Sequence, residues 1–363
     1  MRIIDRHILT EMIGPFIFGV AAFTSLMFAG KELFQVTQLL AEFHAPVWRA
    51  AQLVLLHIPG LVVLTLPMSM LLATLLGFGR LSSDSETVAL FAGGISMYRI
   101  VLPVIVMAVV VTGMSFVLGE YVAPYTNSEH QRIVQEIKKT QGSSSKPFFV
   151  IDAKDGVTNS VFYVQNGFDM ASGTLRGVAL VQYVEGKPAV FIHGEKAIWL
   201  GEDNWEFRDG YIKTLGTKPT VMTEFNGTQA RRTRIDKTPE QIAMFQKKHD
   251  EMSFGQLRGY ISMLLQHGAD VAEYEVRLYQ KIAMPLTTLV FALIGAPLGL
   301  RPHRSSSATG LGLSIVIIFA YWIFMHYMTI LGRNAAISPM LASFLPTGAC
   351  AAVGVGLIIR ASK

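Results

Sequence analysis

Six stretches of 19 or more residues with almost no charge constrain this chain more than any other feature. They are residues 12–30, 53–79 (broken only by His57), 100–119, 282–300, 308–332 and 335–359. A helix needs about 20 apolar residues to cross the ~30 Å hydrocarbon layer, so each stretch is predicted to span a membrane. The first follows Met1-Arg2, like the basic start of a secretory signal. It exceeds the usual ~7–15-residue apolar core and lacks a convincing small-x-small cleavage site, so it is expected to be retained. Apolar residues make up 51% of the chain and charged ones 16%, against ~25% charged in ordinary soluble domains. That balance excludes a cytosolic enzyme, a disordered chain and a fibrous repeat. Cys350 is the single cysteine and lies in the last apolar stretch. No intrachain disulfide and no Cys-based metal or redox motif is possible.

Lys and Arg near the span ends set the expected orientation. Arg2, Arg6, Arg80, Arg99, Arg301, Arg304, Arg360 and Lys363 fall on one side, and Lys31, Arg49 and Arg333 on the other. This bias places both termini in the cytoplasm and the segment between spans three and four outside, in the periplasm of a cell that has one. Residues 124–276 hold 18 Lys and Arg against 19 Asp and Glu, whereas the rest of the chain holds 13 against 7. The basic excess is therefore a feature of membrane topology and gives no support to nucleic-acid binding.

From Pro147 onward the pattern changes to short β-rich pieces at 148–151, 160–164, 177–184, 189–200, 204–207, 211–215 and 220–225. Turn signals separate them, among them Lys154-Asp155-Gly156, Glu185-Gly186-Lys187-Pro188 and Arg208-Asp209-Gly210. This spacing predicts an antiparallel sandwich or jelly roll. Alternation sets Val161 and Tyr163 against Phe162 and Val164 without saying which pair is buried. Residues 127–139 read as a helical extension of span three. Residues 238–267 read as a helix with Phe254, Leu257, Tyr260, Ile261, Leu264 and Leu265 on one stripe. The expected fold is a membrane α-helical protein of six transmembrane helices (3 + 3), with an extracytoplasmic β-jelly-roll domain inserted between helices three and four. The boundaries fall at 1–123, 124–276 and 277–363.

Sequence motifs for independent chemistry are missing. There is no G-x-x-x-x-G-K-[ST] to cradle a nucleotide, no H-E-x-x-H, no G-x-S-x-G, and no span carries a buried acid of the kind proton-coupled carriers use. No cofactor is expected. His57 and His326 lie within spans, where a polar side chain is expected to face a cavity or a neighbouring helix. The loop between spans two and three is the most informative stretch. Ser83 with Glu86 reads as a capping box and Gly93 as the C-terminal stop of a short helix near 83–93. That helix would expose Val88, Leu90 and Phe91 beside Asp84 and Glu86. Short helices of this kind are how permeases of ABC transporters dock on a separate ATPase. The plainer alternative, a helix lying on the inner leaflet, fits two acids poorly because that leaflet is anionic.

Several strings resemble the LptF/LptG family, the permease subunits of the lipopolysaccharide-export ABC transporter. They are Ile4-Asp5-Arg6, Ser85-Glu86 with Gly93-Gly94-Ile95-Ser96, Gly119-Glu120-Tyr121-Val122-Ala123-Pro124, and Tyr279-Gln280-Lys281-Ile282-Ala283-Met284-Pro285-Leu286. Their wording is somewhat closer to the G-type subunit. The resemblance implies a non-catalytic inner-membrane permease paired with a second permease subunit, a paralogue or an identical copy. It also implies a cytoplasmic ATPase dimer as motor and a single-span jelly-roll subunit in the periplasm. Lipopolysaccharide would be extracted from the outer leaflet and passed to a periplasmic bridge. Two other readings stand beside it: a membrane scaffold or sensor that displays the β domain without transport, and an exporter of another lipid or glycolipid.

By position, the resemblance implies that Lys31, at the outer end of span one, contacts a lipid A phosphate. A cation at that low-dielectric boundary would meet an anionic headgroup, or simply snorkel to anchor the helix. The family has further lysines just beyond, where this chain has Thr37 and Gln38. Phe34 lies one turn on. Arg132 falls near the family's basic pair at the cavity mouth, and Arg49 and Arg333 are further outer cations equally explained as interface anchors. Glu86 matches the acid of the helix that docks on the ATPase, and Asp84, Val88, Leu90 and Phe91 surround it. His57, Ile58, Pro59, Pro67 and Met68 would line an apolar cavity for acyl chains, with the two prolines kinking span two. Gly348, Ala352 and Gly356 form a small-xxx-small row suited to close helix contact or pairing.

Overall fold

The computed structural model describes residues 3–361 of the chain, apart from 42–45, 141–147, 155–156, 166–167, 170–173, 185–186, 202–203, 216–220, 227–230, 235–248, 267–269 and 301–306. It divides into two compact units. One comprises the residues up to 130 together with those from 272, and the other residues 131–271.

The six predicted spans are helices: Ile3–Gly30, Val47–Ser83, Met97–Val134, Ala272–Gly299, Thr309–Arg333 and Pro339–Ala361; all belong to the first unit except the last residues of the third, from 131. Spans two and four form its centre and are mostly buried, whereas spans one, five and six keep most of their surface outward. Small residues let the two central helices approach. A Cβ added to Gly299 would sit 2.8 Å from Phe78 Cβ and 3.0 Å from the Thr74 carbonyl oxygen. One apolar cluster joins Ile8 and Met12 of span one to Phe78, Ile100, Ala292 and Ala296; a second joins Met68, Leu71, Phe291, Ile318, Tyr321 and Met325. Span two runs as one helix through Pro59 and Pro67.

Hydrocarbon supplies no hydrophobic drive between helices, so association rests on packing and interhelical hydrogen bonds. Thr24 and Thr65 share one at 3.0 Å across spans one and two. Spans four, five and six are joined at three levels. Thr287 lies 2.8 Å from the Tyr321 hydroxyl, which lies 3.2 Å from Thr347. Gln280 donates to Thr329 at 2.7 Å. Ser343 donates to the Val276 carbonyl at 3.1 Å. The Gly348, Ala352, Gly356 row makes none of these contacts: all three residues are exposed, and span six instead packs inward through Gly354 against Leu293 and Ile294. His326 is also exposed, contrary to the expectation of a cavity or a neighbouring helix.

The second unit is built on one antiparallel sheet of eight strands: Phe148–Lys154 (β1), Val157–Val164 (β2), Phe168–Asp169 (β3), Thr174–Val184 (β4), Lys187–Gly201 (β5), Asn204–Thr214 (β6), Met222–Phe225 (β7) and Arg231–Arg234 (β8). The order is β1-β2-β4-β5-β6-β7, with β3 also on β4 and β8 also on β6. The three long central strands bend at one row. Arg176 pairs with Lys196 and Val178 with Gly194, while Lys196 pairs with Arg208 and Gly194 with Gly210. Gly177, Glu195 and Asp209 therefore occupy the same level, and Gly177 (φ 62°) and Asp209 (φ 53°) are left-handed there. Inward alternation flips across that row, since Leu175 and Val178 both face the core, as do Gly194 and Ala197.

The row is a crease. Beyond it on one side lie β3 and β8, and on the other β2 and β7. Leu175, Ala197, Trp205 and Phe207 from one leaf meet Phe162, Val164, Val178, Leu180, Ile192 and Phe225 from the other in a single core. Strands that switch leaves at such bends are how a single sheet closes on itself. This corrects the expectation at Arg208-Asp209-Gly210, which is the bend within β6 and not a turn between strands. An Asp at positive φ followed by Gly satisfies either geometry. The alternation is also resolved: Phe162 and Val164 are the buried pair.

Glu206 pins β8 to β6. Arg208 donates to it from Nη2 at 2.7 Å and from Nε at 2.8 Å, and Arg232 of β8 reaches it at 3.5 Å. The Arg208 guanidinium holds its carboxyl below the ordinary carboxylate range. The helix expected over 238–267 is present at Phe254–Gln266, with Leu257, Tyr260 and Ile261 buried and Leu265 exposed. Residues 235–248 lie outside the described set.

Candidate functional site

Candidate residues collect at the two ends of the helical unit. At the end formed by residues 80–99, span two stops at Ser83 and the short helix occupies Glu86–Ala92. The capping box does not form. Ser83 Oγ donates to its own helix, at the Arg80 carbonyl (2.8 Å), and Ser85 enters the new helix at φ 59° with no side-chain cap. The left-handed stop is Gly94 (φ 78°), one residue beyond Gly93. The Ile95 N–H donates to the Leu90 carbonyl at 3.1 Å and that of Gly94 to Phe91 at 2.9 Å, the bond pair of a Schellman motif.

Val88 (54% exposed) and Phe91 (41%) face outward, Leu90 is half-buried against the bundle core with Ile95, and Thr87 is buried. The face presented by this helix is thus Val88 and Phe91, with Asp84 exposed beside them. Glu86 is held by His7 of span one, Nε2 to Oε2 at 2.8 Å. Arg80 and Arg99, on either side of the loop, pair with Glu11 (3.2 Å) and Asp5 (2.7 Å) of the same helix.

At the opposite end, spans one and three each widen into a π-turn, Phe28–Glu32 and Leu118–Val122. The backbone of Lys31 lies in the first of these, and its side chain is outside the described set. π-Turns of this kind occur often at functional positions. Glu32 is buried and lies 3.3 Å from His57 Nε2 of span two, whose ring centroid is 5.2 Å from that of the buried His130. Only His57 of this trio is evident in the sequence. Glu32 is an acid just beyond the first apolar run, and His130 sits one turn into the predicted extension of span three. The three come from three different spans, so no local pattern in the sequence brings them together. Among the described residues no three His, Cys, Asp or Glu are arranged to hold a metal ion.

Phe34 is 72% exposed. Arg49 stacks on Trp48 at 4.4 Å, and Arg333 pairs with Glu273 at 2.6 Å. Arg132 is exposed and belongs to the other unit. An apolar hollow opens between spans two, four and five, lined by Pro67, Met68, Met284, Phe291, Tyr321 and Trp322. Pro67 and Met68 line it, and His57, Ile58 and Pro59 lie two turns or more nearer the helix start.

Together these features define a multi-pass membrane protein with a folded β domain inserted between its two sets of three spans, and a short loop helix offered at one end of the bundle. The model of the family "Lipopolysaccharide export system permease LptF/LptG" matches residues 6–360, and the chain belongs to that family. It is similar to the lipopolysaccharide export system permease protein LptG of Escherichia coli K12, at 24% identity over 86% of each chain. It is also similar to the LptG of Haemophilus influenzae, at 23% identity over 82% of this chain and 81% of the relative.

Proposed function

We propose that this chain is a permease subunit, of the G type, that extracts lipopolysaccharide from the outer leaflet of the inner membrane and passes it to a periplasmic bridge. Energy comes from ATP hydrolysed by a separate cytoplasmic ATPase dimer, since the chain carries no phosphate-binding loop. A second permease subunit pairs with it, and a single-span jelly-roll subunit continues its β domain in the periplasm. The observation that carries this reading is the family match, which runs unbroken through both sets of spans and the β domain between them.

The geometry supports specific roles. The short helix Glu86–Ala92 docks on the ATPase through Val88 and Phe91, flanked by Asp84 and Glu86, with Leu90 holding it to the bundle. Lys31, Phe34 and His57 meet the lipid at the outer end, where Lys31 offers a cation to a phosphate. Arg49 and Arg333 add positive charge at that end, and Arg132 is a further cation of the other unit. Both termini lie in the cytoplasm and the β domain in the periplasm. Purification of the chain with its native partners tests the reading: the ATPase is expected to copurify, and Glu86→Lys to remove it while the six-span chain stays folded. Retention of the ATPase by this variant would refute the docking assignment. Export of a different lipid would appear as another species crosslinked at Phe34.

A further inference from the structure

The helix Glu86–Ala92 has seven residues, too few to persist by its own hydrogen bonds. Its entry residue Ser85 is left-handed and uncapped, so its placement must come from contacts with the rest of the bundle. The first turns of span one hold the short helix and both of the spans that flank it. His7 reaches Glu86 within the helix; Glu11 reaches Arg80 in the last turn of span two; Asp5 reaches Arg99 in the first turn of span three. The pairs differ in kind. The Asp5 side chain is 13% exposed and its pair with Arg99 is the shortest at 2.7 Å, whereas Arg80, His7 and Glu86 are 69%, 48% and 43% exposed. Ile8 and Met12, on the same face of span one, are fully buried in the cluster that also takes Leu90 and Ile95. Asp5 also belongs to the Ile4-Asp5-Arg6 string, for which the transport reading gives no role.

We propose that the first turns of span one are a positioning latch for the ATPase-docking helix, with Asp5 and Glu11 holding the two flanks of the loop and His7 holding Glu86. Force applied to the short helix is passed into span one, whose other end carries the π-turn with Lys31 and Glu32. This rests on the reading that Glu86–Ala92 meets the ATPase. Asp5, His7 and Glu11 are positioning residues, because they act through the loop and touch neither nucleotide nor lipid.

The test uses the whole complex in vesicles containing lipopolysaccharide. Asp5→Arg and Arg99→Asp, made singly, are expected to keep the ATPase bound but to lower lipid moved per ATP at least tenfold. The double exchange Asp5→Arg/Arg99→Asp is expected to restore it to within about threefold. Single variants that transport normally, or a folded double variant as poor as the singles, would overturn the latch. Should the singles fail to fold, a second measurement avoids the buried pair. Glu11→Cys/Arg80→Cys in a Cys350→Ala background, joined by a short bis-maleimide, is expected to keep at least half the transport of the same variant left unjoined, since a latch stays closed through the cycle. A tenfold loss on crosslinking would show that the two elements must separate, and would overturn the proposal. Failure of the docking reading is distinguishable, because it appears as an ATPase still bound to Glu86→Lys.

Discussion

Two glycine positions on the spans should respond oppositely to added volume. At Gly299, a new Cβ would lie 2.8 Å from Phe78 Cβ and 3.0 Å and 3.2 Å from the carbonyl oxygens of Thr74 and Leu75. Ordinary contacts are several tenths of an ångström longer, two of these neighbours are backbone, and Phe78 is fully buried. Spans two and four must therefore move apart. Overpacking of this kind costs about 1–3 kcal/mol, which lowers the folded-to-unfolded ratio by roughly fivefold to a hundredfold. At Gly348 nothing lies within 4 Å, and even Gly348→Leu should leave the stability of the single chain unchanged. Its effect is expected instead on pairing with a second permease through that exposed row. Denaturant titration in detergent micelles, followed by tryptophan fluorescence, reports the first quantity, and copurification of the paired subunit the second. Equal stability of Gly299→Ala and the parent, or a large loss from Gly348→Leu in the isolated chain, would refute the packing argument.

Other outcomes follow from the same geometry. Tyr321→Phe removes the hydroxyl between Thr287 and Thr347, but Thr287 keeps a bond to the Ala283 carbonyl at 3.0 Å; the loss should be about 0.6 kcal/mol, within the range of interhelical bonds in membranes, by the same titration. Trp205→Ala empties the centre of the β-domain core and should cost about 3–5 kcal/mol, read as faster amide exchange across β4–β6. Because the folded pKa of Glu206 is depressed, its contribution is fully present above its unfolded pKa of about 4.5 and is lost as pH falls through the lower folded value. Amide exchange of β6 and β8 should rise as pH drops below that point, after correction for intrinsic rates, and Glu206→Gln should flatten the dependence. A cysteine at the exposed Ser85 (in a Cys350→Ala background) should resist impermeant maleimide in intact cells, and one at Val184 should react once the outer membrane is opened.

The spans were legible because each carries its evidence within itself: a continuous apolar run is sufficient for a helix in hydrocarbon, whatever it packs against. The β domain was legible as alternation and turn signals, yet its crease was not. Arg208-Asp209-Gly210 has the composition of a turn, and only the paired rows on either side of it, which continue through β5 and β4, show it to be a bend. The short helix was visible in Glu86 to Gly93, but its caps were misplaced by a residue or more, since the Ser83 hydroxyl had a nearer acceptor in its own helix. Least legible were contacts between distant residues. Nothing local to Asp5, His7 or Glu11 points to residues 80–99, and nothing local to Glu32 points to His57. Arg49 and Arg333, read as outer cations or interface anchors, carry contacts of the same non-local or unsignalled kind: Arg333 has an acid partner and Arg49 an indole that a count of charges does not reveal.

The central claim is that lipid passes this chain at the outer end of its spans under power from a partner. A photoreactive residue at Phe34, exposed beside the first π-turn, tests it directly in the reconstituted complex with ATP. The account predicts a lipopolysaccharide adduct whose yield falls when ATP is hydrolysed and lipid moves onward, and recovers when hydrolysis is blocked. No adduct in any nucleotide state, from a folded complex that retains its ATPase, would contradict it and leave a scaffold that does not handle lipid.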